Sequence, residues 1–143
     1  MTGPHNLQRF IDAQDGIYES VLAELSAGQK QSHWMWFIFP QLAGLGFSPT
    51  AQRYAIASLD EARAYLHHPL LGARLRECVE AVLRWFNQFS AEQILGSIDA
   101  LKLKSSLTLF DQVEPNTLFA AGLAAFYAGE RDERTLAMLN AQR

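Results

Sequence analysis

The chain has 143 residues, of which 49% are hydrophobic and 19% are charged, and this balance indicates a globular domain and excludes a disordered segment. The formal net charge of −3 argues against a nucleic-acid-binding surface, and we expect no nucleic-acid partner. A single cysteine, Cys78, excludes an internal disulfide, and no zinc-type spacing occurs, so we expect no metal site.

The N-terminal sequence MTGPHNLQRF lacks the apolar core of a signal peptide. We therefore expect a cytoplasmic protein that does not associate with a membrane. Repeats, linkers and low-complexity segments are absent from the sequence, so we expect one domain over residues 1–143. No dinucleotide fingerprint or glycine-rich phosphate loop is found, and no cofactor is predicted.

Apolar residues recur at helical spacing in the first part of the chain, from Leu7 to Leu25. The Asp15-Gly16 pair weakens the middle of this segment and predicts that it divides into two helices. Gly28 predicts the end of the second one.

The next segment, SHWMWFIFPQLAGLGFSPTAQRYAI over residues 32–56, is the most unusual part of the chain. Its apolar run from Trp34 to Phe39 is much shorter than the about 20 residues that span a bilayer. Because Pro40 cannot continue a helix, the proline and the aromatic bias favour extended chain here. We expect a long, aromatic-rich irregular loop over residues 30–57.

This loop has two interpretations. It either contributes aromatic side chains to the core, or it lines a hollow in which aromatics and a few hydrogen-bonding groups bind a small molecule. The sequence leaves both interpretations open. The polar residues interleaved with the aromatics are Ser32, His33, Gln41, Ser48, Gln52 and Arg53.

Beyond the loop, capping residues and apolar spacing predict helices over residues 58–66, 69–86, 97–110, 118–127 and 132–139, with a short turn around Ile94. Cys78 lies on the apolar stripe of the second of these helices and is predicted to be an unreactive core residue. Long alternating segments are absent. The predicted fold is therefore all-α, a single compact domain of about six to seven helices.

The helix predicted over residues 97–111 carries polar groups beside its apolar stripe. At 100° per residue, Asp99, Lys102 and Ser106 share one edge of the stripe, and Ser105 lies nearby. Ammonium and hydroxyl groups donate hydrogen bonds to phosphate or carboxylate, so this edge suits an anion. The alternative is that Asp99 and Lys102 form an ordinary i,i+3 surface pair.

These two segments also carry a family resemblance. HWMWFIFPQLAGLG followed by D-LKLKSSLTLF resembles the bacterial family of domains of unknown function numbered 1810 (DUF1810), and the likeness extends over nearly the whole chain. The resemblance implies a small all-helical domain and supplies no reaction. Some members carry the name calpastatin, but that inhibitor is disordered and polar, and this sequence is neither. The family pattern falls on Trp34, Trp36, Pro40, Gln41, Gly44, Gly46, Ser48, Tyr54, Asp99, Lys102, Ser105 and Ser106.

The histidines offer weaker candidates. His33, beside Trp34, is either a general base or a hydrogen-bonded structural group. His67 and His68, just before Pro69, are either metal ligands or cations placed favourably at a helix end.

Two functional hypotheses follow. The first is a site for a small, nucleotide-like anionic ligand, which, if it is catalytic, hydrolyses an N-glycosidic bond of a nucleotide or ADP-ribose derivative; this reaction is inferred by analogy with other compact helical glycohydrolases. The second is a non-catalytic protein-interaction or homodimerisation module anchored by the WMWF aromatics.

The first hypothesis assigns roles to particular residues. The predicted catalytic residues are Asp99, Lys102 and His33, with Asp15 as an alternative carboxylate to stabilise positive charge on the sugar. The predicted ligand-binding residues are Trp34, Trp36, Gln41, Ser48, Tyr54, Ser105 and Ser106.

Overall fold

Helices account for most of the chain in the computed structural model, which describes residues 5–142. The described residues form ten α-helices and no β-strand, so the all-α prediction is confirmed, whereas six to seven helices was too few. The helices are α1 (Gln8–Gln14), α2 (Tyr18–Ser26), α3 (Met35–Ile38), α4 (Pro49–Arg53), α5 (Leu59–His67), α6 (Pro69–Leu83), α7 (Ala91–Leu95), α8 (Ser97–Val113), α9 (Leu118–Tyr127) and α10 (Glu133–Ala141). None of the described helices is long and apolar enough to cross a membrane.

The predicted irregular loop contains regular structure. Met35–Ile38 forms one turn of helix, so the expectation of extended chain through this aromatic run was wrong. Phe39, directly before Pro40, leaves the helical conformation with φ −121° and ψ 73°, as the proline requires. The chain then pairs with itself at a parallel bridge between Leu42 and Ile56, which closes the loop at its base.

Local signals explain several helix boundaries. The Ser58 hydroxyl accepts a hydrogen bond from the Glu61 amide at the start of α5, and Ser90 with Gln93 forms a capping box at α7. His68 caps α6 in the same way, because its Nδ1 accepts from the amides of the second and third residues of that helix. His68 is therefore a helix cap, and the metal-ligand interpretation of the histidine pair gains no support.

Helix α8 runs through the centre of the fold and packs against α5, α7, α9 and α10. Buried aromatic rings connect these elements: Tyr65 of α5 lies 5.6 Å from Phe110 of α8 between ring centroids, and Phe110 lies 5.7 Å from Phe119 of α9. Phe10 of α1 meets Tyr65 edge to face at 5.0 Å. One continuous hydrophobic core results.

The segment after α2 is fastened to the start of α8. The Lys30 amide donates to the carbonyl of Ile94, the fourth residue of α7, at 2.8 Å. Gly96, with φ +90°, then separates α7 from α8 in a backbone conformation that favours glycine. These two features bring residues 30–36 against the first turn of α8.

Candidate functional site

A cavity of about 430 Å³ lies between the segment that follows α2 and the N-terminus of α8. This volume is within the range of small-molecule sites, about 300–1,000 Å³. Its wall combines apolar side chains with a small number of charged ones. The lining residues are Lys30, His33, Met35, Trp36, Leu95, Gly96, Ser97, Ile98, Asp99 and Lys102.

Two lysines share one carboxylate in this cavity. Lys30 Nζ lies 2.9 Å from Asp99 Oδ2, and Lys102 Nζ lies 3.5 Å from Asp99 Oδ1. The Lys30 side chain is 8% exposed and that of Lys102 is 24% exposed. The i,i+3 pair considered from the sequence therefore exists, but the nearer partner of Asp99 comes from the loop, and the cluster keeps one excess positive charge.

Each lysine also lies over an indole ring. Lys30 Nζ is 5.0 Å from the ring centroid of Trp34, and Lys102 Nζ is 5.1 Å from that of Trp36, both within cation–π range. Trp34 is 1% exposed and lies beneath the wall, whereas Trp36 is half-buried and faces the cavity. Only Trp36 can therefore stack on a molecule in the cavity.

The segment that carries Lys30 and His33 is organised by Glu24 of α2. The Glu24 carboxylate accepts hydrogen bonds from the amides of Gln31 and Ser32, from the Ser32 hydroxyl and from Trp34 Nε1. Partial burial by itself raises the pKa of Glu24, but the four donors outweigh it and lower the pKa to about 2. This carboxylate fixes both the buried indole and the loop.

The first turn of α8 contributes backbone donors to the same wall. Within the described chain no side chain caps this helix, whose N-cap is Gly96, and the first amides of any α-helix lack partners inside it. Ser97 and Ile98 both line the cavity. An uncapped N-terminus of a 17-residue helix carries partial positive charge, so it adds to the attraction for an anion.

A smaller hollow of about 10 Å³, room for about one water molecule, adjoins the cavity. Trp36 and Lys102 line both spaces, so they form the partition between them. Gln41 and Tyr54, two of the predicted ligand-binding residues, line the hollow and not the main cavity. Trp36 and Lys102 therefore lie at the main cavity, whereas Gln41 and Tyr54 reach only the adjoining hollow.

Other predicted residues have different partners. The Ser48 hydroxyl caps α4 by accepting from the Ala51 amide at 3.1 Å. The Ser105 hydroxyl donates to the Leu101 carbonyl and to Asp132, and the buried Ser106 hydroxyl has no partner among the described residues. Asp15, 62% exposed, lies 3.7 Å from Arg74. The structure brings none of these side chains, nor Trp34, to the cavity.

Sequence reasoning missed two residues that shape this site. Lys30 lies in the polar segment GQKQS, which has no local feature that distinguishes it from a surface linker. Glu24 occupies an ordinary helical position in α2. A detectable signal for the helix start was present at Gly96 and Asp99, because glycine is tolerated at an N-cap and an acidic residue is favoured in the first turn.

Comparison with known proteins places this chain in a family. The model of the family described as "protein of unknown function (DUF1810)" matches residues 4–139, and the chain belongs to that family. Its fold is similar to the crystal structure of the conserved hypothetical protein Rv1873 from Mycobacterium tuberculosis, with a TM-score of 0.93 and 52% sequence identity. That likeness covers 96% of this chain and 99% of Rv1873. None of the curated proteins compared with the chain matches it.

Proposed function

We propose that this protein binds a small anionic ligand that carries a flat ring, such as a nucleotide, in the cavity between residues 30–36 and the start of α8. The observation that carries the proposal is the convergence of Trp36, Lys30 and Lys102 on one space of suitable size. The exposed face of the Trp36 indole stacks the ring. The Lys102 ammonium and the first amides of α8 hold the anion, and the Lys30 ammonium adds positive charge beside them.

A carboxylate and an imidazole at the cavity support hydrolysis of an N-glycosidic bond as an extension of this proposal. In that reaction water attacks the anomeric carbon as the C–N bond breaks, and the leaving base takes the electron pair and a proton. In the proposed reaction Asp99 stabilises the positive charge that develops on the sugar, and His33 accepts the proton of the attacking water; both residues line the cavity. We propose this reaction as the first to assay.

Binding is tested by thermal shift and calorimetry with AMP, ADP-ribose, adenosine and ribose 5-phosphate. We expect AMP and ADP-ribose to raise the melting temperature, because a ligand that binds only the folded state stabilises it. Adenosine lacks the anion and ribose 5-phosphate lacks the flat ring, so each should give a smaller shift. Release of free base from the same nucleotides, followed by chromatography, tests catalysis.

Replacement of Lys102 gives the decisive variant. Lys102→Ala should weaken AMP binding by roughly 10-fold or more, because the ammonium contacts both the anion and the indole that stacks the ring. Lys104→Ala is the matched control, since Lys104 lies on the same helix, is similarly exposed, and is 3.6 Å from Glu130 away from the cavity. Equal effects of the two substitutions would contradict the proposal.

An interaction module remains the second candidate, and exposed apolar side chains favour it. Ile98 is 73% exposed and Leu101 is 68% exposed on α8, and Phe86 is 50% exposed after α6. The WMWF aromatics are poorer anchors, because Trp34 and Met35 are each only 1% exposed. A surface of this kind would centre on the start of α8 instead.

A further inference from the structure

Asp99 presents a difficulty for any anionic ligand in this cavity, and the inference drawn from it rests on the proposed function. Of the cavity-lining residues in the described part of the chain, Asp99 alone carries a carboxylate. It already occupies both lysines that an incoming anion requires. A ligand must therefore compete with a carboxylate that is tethered within the site.

The two ion pairs are unequal. Lys30 and Asp99 approach to 2.9 Å, and the Lys30 side chain is almost fully buried over the fixed ring of Trp34. Lys102 lies 3.5 Å from the other carboxylate oxygen, is three times as exposed, and lies over the more accessible ring of Trp36. The Lys102 pair is thus the one that a ligand can exchange, while Lys30 keeps Asp99 in place.

We infer that Asp99 is an internal counter-ion that the ligand displaces from Lys102, and that the cavity, which keeps one excess positive charge, selects a phosphate dianion over a carboxylate. A ligand carboxylate would exchange one singly charged group for another. It would also be held close to the Asp99 charge that remains on Lys30. The exchange therefore offers a carboxylate little gain in electrostatic attraction.

A phosphate monoester differs in both charge and geometry. At neutral pH its charge is about −1.5 to −2, and it has three acceptor oxygens. One oxygen can bind Lys102 while the others accept from the amides of Ser97 and Ile98 at the uncapped start of α8. The extra charge and the additional donors offset the repulsion from Asp99.

The test compares two ligands that differ in the anionic group carried on O5′, AMP and 5′-O-carboxymethyladenosine, by calorimetry with the intact protein. We expect the wild-type protein to bind AMP roughly 10-fold or more tightly than the carboxylate. Asp99→Asn should tighten the binding of both ligands by roughly 10-fold, and that of AMP at least as much as that of the carboxylate, since it removes the charge that competes with each and retains the side-chain shape. Asp60→Asn, at a side chain that is 81% exposed, controls for the change in net charge.

The outcomes separate this inference from the function on which it rests. If the wild-type protein binds both ligands equally, the selection of phosphate is wrong while the nucleotide site stands. If Asp99→Asn weakens both ligands in a variant that retains its helical content, Asp99 supports the site and is not a displaceable counter-ion. If neither ligand binds the wild-type protein or Asp99→Asn, the proposed function itself fails.

Discussion

Glu24 shows how one carboxylate can organise a loop that has little regular structure. Four donors from Gln31, Ser32 and Trp34 surround it, and all lie within ten residues along the chain. These bonds form only when the carboxylate is ionised and the segment is folded. They therefore stabilise the folded state in a way that depends on pH.

We expect Glu24→Gln to lower the free energy of unfolding by about 1–2 kcal/mol at neutral pH, because it replaces charge-assisted hydrogen bonds with weaker ones and turns a donor toward other donors. The folded-state pKa, about 2, lies below the usual value of 4.5. The stabilisation is therefore complete above the unfolded pKa and is lost as the pH falls from 4.5 toward 2. Urea unfolding of both proteins across that range measures it, and a difference between them that stays constant with pH would contradict this assignment.

Individual site residues were predictable only in part. Trp36, Lys102 and Asp99 belong to the two segments that carry the family resemblance, and all three line one cavity. Ser105 and Ser106 share the signature but are buried, because they lie one turn further along α8, where the helix enters the centre of the fold and residues 105–111 are all buried. Lys30 reaches Asp99 only through the tertiary path of the loop, and helical periodicity cannot reveal such a contact.

At the scale of helices, Asp132 connects the start of α10 to the middle of α8. Its carboxylate accepts from the amide and the hydroxyl of Thr135 and from the hydroxyl of Ser105, and its amide donates to the Thr108 hydroxyl. Thr108 and Thr135 are both fully buried. These contacts explain the hydroxyl groups of Ser105 and Thr108, both in the KLKSSLTLF segment, by packing and helix capping.

Asp132→Ala should consequently destabilise the fold by about 2 kcal/mol, since it removes a helix cap and leaves buried hydroxyls without an acceptor. The variant should keep its affinity for AMP, because the lining of the cavity is unchanged. Urea unfolding together with calorimetry checks both statements. A loss of AMP affinity equal to that of Lys102→Ala would show that this junction and the cavity are coupled.

The helices with local boundary signals were the ones that the sequence predicted well. Asp132 at α10, Ser90 at α7 and Pro69 at α6 act within one turn of the residues that they affect. Helix α3 was missed because a single turn among aromatic residues has no period to detect. Its conformation is set by packing of Met35 and Ile38 into the core, which depends on the whole fold.

On the scale of the whole molecule, the chain is acidic while its cavity is basic. The formal net charge is −3, yet the cavity combines two ammonium groups with one carboxylate. Apolar exposure is also uneven, because Ile98 and Leu101 lie next to this basic region. The same region of the surface therefore suits either a small anion with a ring or a partner with an apolar, acidic face.

The interaction-module hypothesis makes its own prediction about assembly. In its homodimer form it requires a dimer whose population rises with protein concentration in sizing experiments and which Leu101→Asp abolishes, because a charge cannot be buried in an apolar contact at low cost. Phe47→Asp is the control, since Phe47 is 76% exposed and lies just before α4, not on α8. A monomer at every concentration would eliminate homodimerisation.

The three tryptophans differ in their surroundings, so the intrinsic fluorescence of the protein should report ligand binding at Trp36. Trp34 is buried in the interior, and Trp85, whose indole N–H donates to the Leu25 carbonyl, does not line the cavity. Of the three indoles, only that of Trp36 lines the cavity, and the Lys102 ammonium lies over its ring. Intrinsic emission can therefore follow occupancy without a dye, and Trp36→Phe should silence the signal while the other two indoles continue to fluoresce.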